Sequence, residues 1–308
     1  MASWFERRTH RHSDFDVDAL VRHKRGGGVT VSVVVPARNE EDTVGGVVEA
    51  CVALAGSLVD EVVVMDGAST DGTAARAAEA GARVHADAEV LAEAGPALGK
   101  GDALWRSLTV TSGDIVAFVD ADVRNPDPRF VSGLLGPLLT DPGVELVKAF
   151  YDRPVEVEGV RYTSGGGRVT ELCARPLLNL FWPELAGLVQ PLSGEYAGRR
   201  GLLEALPFFT GYGVEIGLLI DTLALRGADV IAQVDLGERV HTNQPLEDLS
   251  LMAFGILQVA ARRLVDAERL DGVLGTAPTY RQFRREDGRS VLTEQVVEIR
   301  ERPPVTPG

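Results

Sequence analysis

Two acidic residues, Asp120 and Asp122, directly follow the apolar run Ile115 to Val119. The run predicts a buried strand, so both carboxylates are expected where that strand ends. Hard divalent cations prefer oxygen ligands and keep positions open for water and for substrate phosphate oxygens. Asp-x-Asp also arises by chance and in helix caps, but its place after a buried strand favours a metal site that bridges the protein to a diphosphate.

Polar residues also follow the two other strong strand patterns. Asn39 to Asp42 come after Val29 to Val35, and Asp66 to Asp71 end the run that starts at Glu61. One such ending is ordinary turn and helix-cap chemistry. Because parallel strands end at the same edge of a sheet, we expect the three polar endings to lie together. So many carboxylates at one place require a cation or hydrogen-bond donors.

A lysine, Lys100, stands between two glycines at the predicted start of a helix. Close approach of the backbone and the positive end of the helix dipole favour a phosphate there, and the ammonium adds a point charge. The segment is not a Walker loop. A solvated lysine in a flexible turn is the alternative interpretation.

A run of glycines at 165–167 leads into an apolar-periodic stretch, which places Arg168 and Thr170 in the first turn of a helix. The helix dipole favours arginine at the other end of a helix, so Arg168 suggests a bound anion, although a flexible loop is an equal alternative.

Glu215, at the start of a later helix, is suited to binding sugar hydroxyls or to capping that helix. His241 is either a further metal ligand or a structural histidine.

The elements that position these residues alternate along the chain. From residue 29 to about 150, short β-branched runs are separated by Ala-rich amphipathic stretches. This pattern predicts an α/β fold with a mostly parallel central sheet, helices on both faces and ligands at the carboxyl ends of the strands. We divide the chain into a polar N-terminal arm (1–28), a nucleotide-binding half (29–150), a second half (151–265) and a C-terminal extension with a disordered tail (266–308).

Composition limits the classes of function. The chain of 308 residues has 31 Lys and Arg against 45 Asp and Glu, a net charge of −14. Nonspecific nucleic-acid binding is therefore disfavoured, and an anionic ligand must meet a local positive site. Two cysteines, Cys51 and Cys173, cannot build a disulfide framework. With no apolar run of the ~18 residues that a membrane span needs, we expect a soluble, cytoplasmic protein without membrane contact.

Several segments together resemble a known family. Residues 31–41, 62–73 and 120–122 resemble the nucleotide-sugar half of GT-A glycosyltransferases, which have a Rossmann-like fold. Residues 99–104, 165–172, 191–200, 211–217 and 240–243 are more selective, and across residues 15–265 the chain resembles the glucosyl-3-phosphoglycerate synthase family. The resemblance implies transfer of glucose from UDP-glucose to the 2-hydroxyl of 3-phosphoglycerate with retention of configuration. It also implies Mg²⁺, with Mn²⁺ or Co²⁺ as alternatives, and a homodimer.

On the donor side, the resemblance assigns uridine binding, diphosphate binding and metal ligation to separate groups. The uridine would be held by Pro36, Ala37, Glu40 and the turn of Asp66 and Gly67, with Asp120 close to the ribose. Lys100 would reach the diphosphate, and the metal would be ligated by Asp122 and His241. The chain departs from the family at Gly67, where a serine that contacts uridine is expected, and this weakens the expectation of UDP specificity.

On the acceptor side, the resemblance assigns the phosphate and carboxylate of 3-phosphoglycerate to Arg168, Thr170 and Asn243, beside the backbone of Gly165, Gly166 and Gly167. Glu215 would hold glucose hydroxyls, and the carbonyl of Leu192 would lie near the reacting centre. Helices expected at 171–190 and 246–265 are the candidate dimer surfaces.

Other functions stay open at this point. A GT-A enzyme could use GDP-mannose as the donor or a polyprenyl phosphate as the acceptor. A nucleotidyltransferase would need a glycine-rich loop after the first strand, whereas this chain has residues 36–40, Pro-Ala-Arg-Asn-Glu. A nonenzymatic sugar-nucleotide sensor would carry the same binding motifs without turnover.

Overall fold

A computed structural model describes residues 4–152, 155–157, 160–162, 167–240, 245–268, 279–286 and 289–305. The strands are β1 Thr9–Arg11, β2 Val31–Ala37, β3 Glu61–Asp66, β4 Arg83–Ala86, β5 Ile115–Phe118, β6 Leu146–Asp152, β7 Val155–Val157, β8 Val160–Tyr162, β9 Tyr196–Arg199, β10 Phe208–Phe209, β11 Ile231–Glu238, β12 Thr279–Glu286, β13 Arg289–Val296 and β14 Glu301–Arg302. The helices are α1 Trp4–Arg8, α2 Val17–Gly27, α3 Val44–Val52, α4 Thr73–Glu79, α5 Lys100–Ser107, α6 Arg129–Thr140, α7 Arg175–Phe181, α8 Arg200–Ala205, α9 Val214–Arg226 and α10 Leu246–Asp266.

An eight-stranded sheet in the order β1-β11-β6-β9-β5-β2-β3-β4 forms the centre of the fold. All neighbouring pairs are parallel except those of β9, which runs antiparallel to both β5 and β6. The predicted α/β class with a mostly parallel sheet is therefore confirmed. Because one sheet takes strands from both predicted halves, the division at residue 150 is not visible as a break in the sheet.

The strands that carry the polar endings lie side by side. In β2 the valines at 31 and 33–35 are fully buried, as the apolar run predicts. The register places Ala37 beside Asp66 and Val34 beside Phe118, so β2, β3 and β5 end at one edge. Helices cover both faces of the sheet. The apolar core on one face includes residues of α5, α9 and α10, and the core on the other face includes residues of α3 and α6. Burial of each large apolar side chain contributes about 1.5–3 kcal/mol.

The N-terminal segment differs from the expected solvated arm. Residues 9–11 form an edge strand parallel to β11, and α2 packs on α6 with Leu20 buried. Composition alone suggested a polar arm because charged residues outnumber the few apolar ones. Nevertheless Leu20 is buried, and Trp4, Phe15 and Val21 pack against the core.

The C-terminal segment also departs from the expected disordered tail. Glu301 and Arg302 pair antiparallel with Phe209 and Phe208, and Arg302 is buried.

The helix expected over 171–190 ends earlier, at Phe181, because Pro183 has no N–H to continue it. The helix expected over 246–265 is α10, as predicted. Among the described helices, none combines the length and apolar character that a membrane span requires.

Candidate active site

A cavity of about 790 Å³ opens where β2, β3 and β5 end. Its wall includes most of the residues that the sequence predicted to act together. On the donor side these are Pro36, Ala37, Glu40, Gly67, Lys100, Asp120, Asp122 and Glu215, and on the acceptor side Gly167, Arg168 and Thr170. Leu192, which was expected near the reacting centre, also lines the cavity. Asp66 lies behind the wall at the end of β3 and accepts a hydrogen bond from the N–H of Ser69. Gly165, Gly166, His241 and Asn243 lie outside the described residues.

The two polar endings after β2 and β3 bind each other. The backbone N–H of Asn39 donates to Oγ of Ser69 at 3.0 Å, and that of Glu40 donates to Oγ1 of Thr73 at 2.7 Å. Asp71 accepts from the N–H of Thr73, the first residue of α4, and so satisfies one of the free N–H groups at the start of that helix. These bonds fix the turn that carries Glu40, and partial burial raises the pKa of the Glu40 carboxyl.

Lys100 begins α5 and is held by two carboxylates. Its Nζ lies 2.6 Å from Oδ1 of Asp120 and 3.0 Å from Oε1 of Glu215. Burial alone would lower the pKa of Lys100, but the two carboxylates outweigh it and hold that pKa well above its usual value. Gly101 has no room for a side chain, since a Cβ there would collide with the carbonyl of Phe209. The side chain is only 20% exposed, so Lys100 is a fixed cation and not a solvated lysine in a turn.

Arg239, which the sequence analysis missed, joins the carboxylates of this cluster. Its Nη2 lies 2.6 Å from Oδ1 of Asp122 and 3.3 Å from Oδ2 of Asp120, and its Nε lies 3.0 Å from Oε1 of Glu195. Glu195 also accepts a 2.6 Å hydrogen bond from the hydroxyl of Tyr151. No local pattern marks Arg239, because its partners lie at distant positions in the sequence.

The carboxyl groups of this cluster suit a divalent cation. Among the described residues, ion pairs connect the cations Lys100 and Arg239 with the carboxyl groups of Asp120, Asp122, Glu195 and Glu215. Asp122 is 39% exposed and lines the cavity, where carboxylate oxygens suit Mg²⁺ or Mn²⁺. Within the described residues, no three His, Cys, Asp or Glu side chains are grouped to hold a metal. The expected partner ligand, His241, is not among them.

The backbone before His241 is attached to the loop that follows Asp122. The N–H of Val240 donates to Oδ1 of Asn125 at 2.7 Å, and the N–H of Arg124 donates to the carbonyl of Val240 at 2.9 Å. The chain therefore enters the segment 241–244 beside the Asp122 loop. This course of the backbone is compatible with the prediction that Asp122 and His241 bind one metal ion.

The segment 192–194 packs tightly against Asp120. A Cβ on Gly194 would collide with the Asp120 carboxylate, so this position requires glycine. Buried Lys148 donates from Nζ to the carbonyl of Ser193 at 2.5 Å, and burial lowers the pKa of Lys148 to about 8. These contacts place Leu192 on the cavity wall beside the charged cluster.

The predicted acceptor residues lie at the start of an irregular helix. Gly167 has a φ of 82°, a left-handed conformation that favours glycine, and Arg168 follows it as an exposed residue on the cavity wall. Buried Thr170 begins a π-helix, Thr170–Ala174, that continues into α7. Such π-helical turns are frequent at functional sites.

Glu215 lies in the first turn of α9, is 5% exposed and pairs with Lys100.

Known proteins resemble the chain over nearly its whole length. Residues 32–186 match the glycosyl transferase family 2. Glucosyl-3-phosphoglycerate synthase of Mycolicibacterium smegmatis is 51% identical over 279 residues, which cover 91% of this chain and 90% of the relative. The crystal structure of mannosyl-3-phosphoglycerate synthase from Rubrobacter xylanophilus has a TM-score of 0.90 and 45% identity, covering 99% of this chain and 96% of that one.

Two structures of glucosyl-3-phosphoglycerate synthase from Mycobacterium tuberculosis are also similar. One, in complex with Mn²⁺, UDP and phosphoglyceric acid, has a TM-score of 0.84 and 45% identity, and covers 94% of each chain. The other, with Mg²⁺ and UDP, has a TM-score of 0.84 and 46% identity, covering 96% of this chain and 97% of that one. The chain therefore belongs to glycosyl transferase family 2 and, within it, to the family of glucosyl-3-phosphoglycerate synthases.

Proposed function

We propose that the protein transfers glucose from UDP-glucose to the 2-hydroxyl of 3-phosphoglycerate, with retention of configuration and with a divalent cation. One observation carries this proposal: a single cavity is lined by most of the donor residues that the family resemblance implies and by the described acceptor residues Gly167, Arg168 and Thr170. Its volume, about 790 Å³, lies in the range of small-molecule sites. The relative solved with Mn²⁺, UDP and phosphoglyceric acid supports the same substrates.

On the donor side, the turn after β2 and the turn after β3 would hold the uridine. Pro36, Ala37, Glu40 and Gly67 line that part of the cavity, with Asp66 behind them and Asp120 towards the ribose. Lys100 would contact the diphosphate. Because Asp120 and Glu215 already fix its ammonium, little reorganisation would be needed when the diphosphate gains charge.

The metal would be held by Asp122 together with His241. When bound, Mg²⁺ or Mn²⁺ would supply positive charge to the leaving diphosphate. Arg239 would orient the Asp122 carboxylate through its 2.6 Å contact. Arg168, Thr170 and Asn243, with the backbone of Gly165, Gly166 and Gly167, would hold the phosphate and carboxylate of the acceptor.

We propose front-face transfer rather than a covalent glucosyl-enzyme. The bond from the sugar carbon to the diphosphate oxygen breaks and a bond to the acceptor 2-oxygen forms on the same face, while the hydroxyl proton passes to the departing phosphate oxygen. The carbonyl of Leu192 would lie near this centre. Glu215 would bind glucose hydroxyls, and its ion pair with Lys100 makes it a poor nucleophile.

Glu215→Gln tests this stereochemical proposal. We expect slower turnover in the variant, and in the wild type no glucosyl-enzyme adduct by mass spectrometry of the intact protein and a retained anomer in the product by NMR. Glu204→Gln, which changes an ion-paired carboxylate on α8, is the control. A trapped adduct would instead establish double displacement.

A transferase with another donor is the second candidate, because one similar structure is named a mannosyl-3-phosphoglycerate synthase and because Gly67 replaces the expected serine. The decisive experiment is a matrix of UDP-glucose, GDP-glucose and GDP-mannose against 3-phosphoglycerate and other phosphorylated acids, with Mg²⁺ or with chelator. We expect chelator-sensitive release of UDP with UDP-glucose and 3-phosphoglycerate. Stronger turnover with GDP-mannose would favour the second candidate, and metal-independent binding without turnover would favour a sensor.

We also propose that residues 29–150 serve the donor, that residues 151–265 serve the acceptor and form a homodimer, and that 266–308 is an extension. Exposed leucines on the described helices support the dimer: Leu172, Leu180, Leu246 and Leu257. Gel filtration with light scattering should give twice the 32.9 kDa chain mass, and a single chain mass would contradict this proposal.

A further inference from the structure

The C-terminal strand β14 carries a buried arginine, Arg302, that reaches α5. Its Nε and Nη2 lie 2.8 and 3.1 Å from the two carboxylate oxygens of Asp102. Asp102 is 0% exposed and lies in the first turn of α5, two residues after Lys100. The C-terminal segment is thus bonded to the helix turn that presents the Lys100 ammonium to the cavity.

Arg302 also binds the loop that precedes Lys100. Its Nη1 donates to the carbonyl of Ala94 at 2.8 Å, and its Nη2 donates to that of Pro96 at 3.4 Å. Pro96, Ala97 and Gly99 from this loop line the cavity. The loop and the start of α5 are therefore connected through one side chain.

A second buried arginine completes the support of this loop from within α5. Arg106 donates to the carbonyls of Leu91 and Gly95 at 2.9 and 2.7 Å, and its Nε lies 3.3 Å from Asp102. Asp102 accepts a further 2.9 Å bond from the N–H of Leu98. Guanidinium groups present several donors in a fixed plane, so they can bind a carboxylate and nearby carbonyls at once.

We propose that Arg302 is a positioning residue for the donor site: it holds the cavity wall at residues 96–99 and the Lys100 turn in the geometry that receives the diphosphate of the sugar nucleotide. The proposal rests on the proposed function. It assigns no contact between Arg302 and substrate, since its side chain lies behind the wall. The acceptor side, built from residues 167–170, receives none of the Arg302 bonds described above.

The test is Arg302→Lys, with Arg302→Met as a second variant. Lysine keeps a positive charge beside Asp102, which protects folding, but its single nitrogen cannot replace the separate Nε, Nη1 and Nη2 atoms that bind the carboxylate and the two carbonyls. We expect the Kd for UDP with Mg²⁺, measured by calorimetry, and the KM for UDP-glucose to rise roughly tenfold in Arg302→Lys. We expect a larger rise in Arg302→Met, with the KM for 3-phosphoglycerate within about twofold of wild type.

Arg300→Met is the matched control, because its side chain pairs with Glu298 at the surface while its backbone makes the bonds to Thr210. Unchanged UDP affinity in both Arg302 variants overturns the proposal. Equal rises of both KM values, together with a lower Tm, also overturn it because they indicate a structural role alone. Measurements on the wild type distinguish the failure of one proposal from the failure of the other. A wild type that binds UDP but does not transfer glucose to 3-phosphoglycerate rejects the proposed function. The positioning role is decided separately, by the change in the Kd for UDP between the wild type and the Arg302 variants.

Discussion

The two sides of the cavity are built in different ways. The proposed donor side stands on the aligned ends of β2, β3 and β5, and its cations, the partly buried Lys100 and the buried Arg239, are held in ion pairs. The acceptor side stands on a glycine turn and a π-helix, and its proposed cation, Arg168, is exposed. Burial restricts the rotamers of a side chain before substrate arrives, whereas a side chain exposed to solvent has more of that freedom to lose when it binds.

This difference predicts unequal consequences of substitution. Removing one member of a buried ion pair leaves its partner without compensation, which is costly in a low-dielectric site. Removing an exposed cation costs less, because water already screens its charge. Donor-side variants should therefore lose more activity than acceptor-side variants, and should lose it through different kinetic parameters.

The largest effect is expected for Asp122→Asn. The change removes a charged metal ligand and weakens the contact to Arg239, so kcat with Mg²⁺ should fall roughly 10²–10³-fold. Release of UDP over a Mg²⁺ titration measures it. Asp127→Asn, in the same loop but paired with Arg129, is the control. Wild-type metal dependence in Asp122→Asn would show that the metal is held elsewhere.

The next effect concerns Lys148, the buried lysine bound to the Ser193 carbonyl beside Leu192. Its pKa of about 8 in the folded protein lies below the usual value of 10.5. The unfolded chain therefore binds more protons between pH 8 and 10.5, so the free energy of unfolding should rise with pH across that window. The full window corresponds to about 3 kcal/mol.

The measurement compares urea unfolding of wild type and Lys148→Met at pH 7 and pH 10. The wild type should gain stability relative to the variant as pH rises, because the penalty for burying a charged ammonium is then relieved. Other titrating groups are common to both proteins and cancel in the difference. A difference that does not change with pH would mean that Lys148 stays ionised throughout, and that the segment 192–194 is supported by a permanent charge.

On the acceptor side, Arg168→Ala should raise the KM for 3-phosphoglycerate about 10- to 100-fold, as expected for loss of a hydrogen bond to a charged group. The KM for UDP-glucose should stay within about twofold. Steady-state kinetics with each substrate varied in turn measure both values. Arg226→Ala, at the exposed end of α9, is the control. An unchanged acceptor KM would remove Arg168 from the acceptor site.

The sequence predicted the carboxylates at the strand ends but not the buried residues that support them, and the reason is physical. The positions of Asp66, Asp120 and Asp122 follow from apolar runs in their own neighbourhood, because a buried parallel strand must end in a polar turn. The burial of Arg239, Glu195 and Arg302 could not be predicted in this way. Arg302, for example, binds Asp102 across 200 residues of sequence, and no local pattern reports a contact of that kind.

The smallest effect is expected at Gly67, where the family resemblance leads us to expect a serine. A Cβ on Gly67 would lie 3.4 Å from the carbonyl oxygen of Ala37, an ordinary van der Waals distance, so Gly67→Ser should fit. Its hydroxyl would restore one hydrogen bond to uridine, which lowers the Kd for UDP by a factor of a few, at most about tenfold. Gly67→Ala adds the same Cβ without the hydroxyl, and calorimetry with UDP and GDP compares the two variants. If serine and alanine give equal affinities, the hydroxyl does not reach the base, and the wall at position 67 does not decide which nucleotide this chain binds.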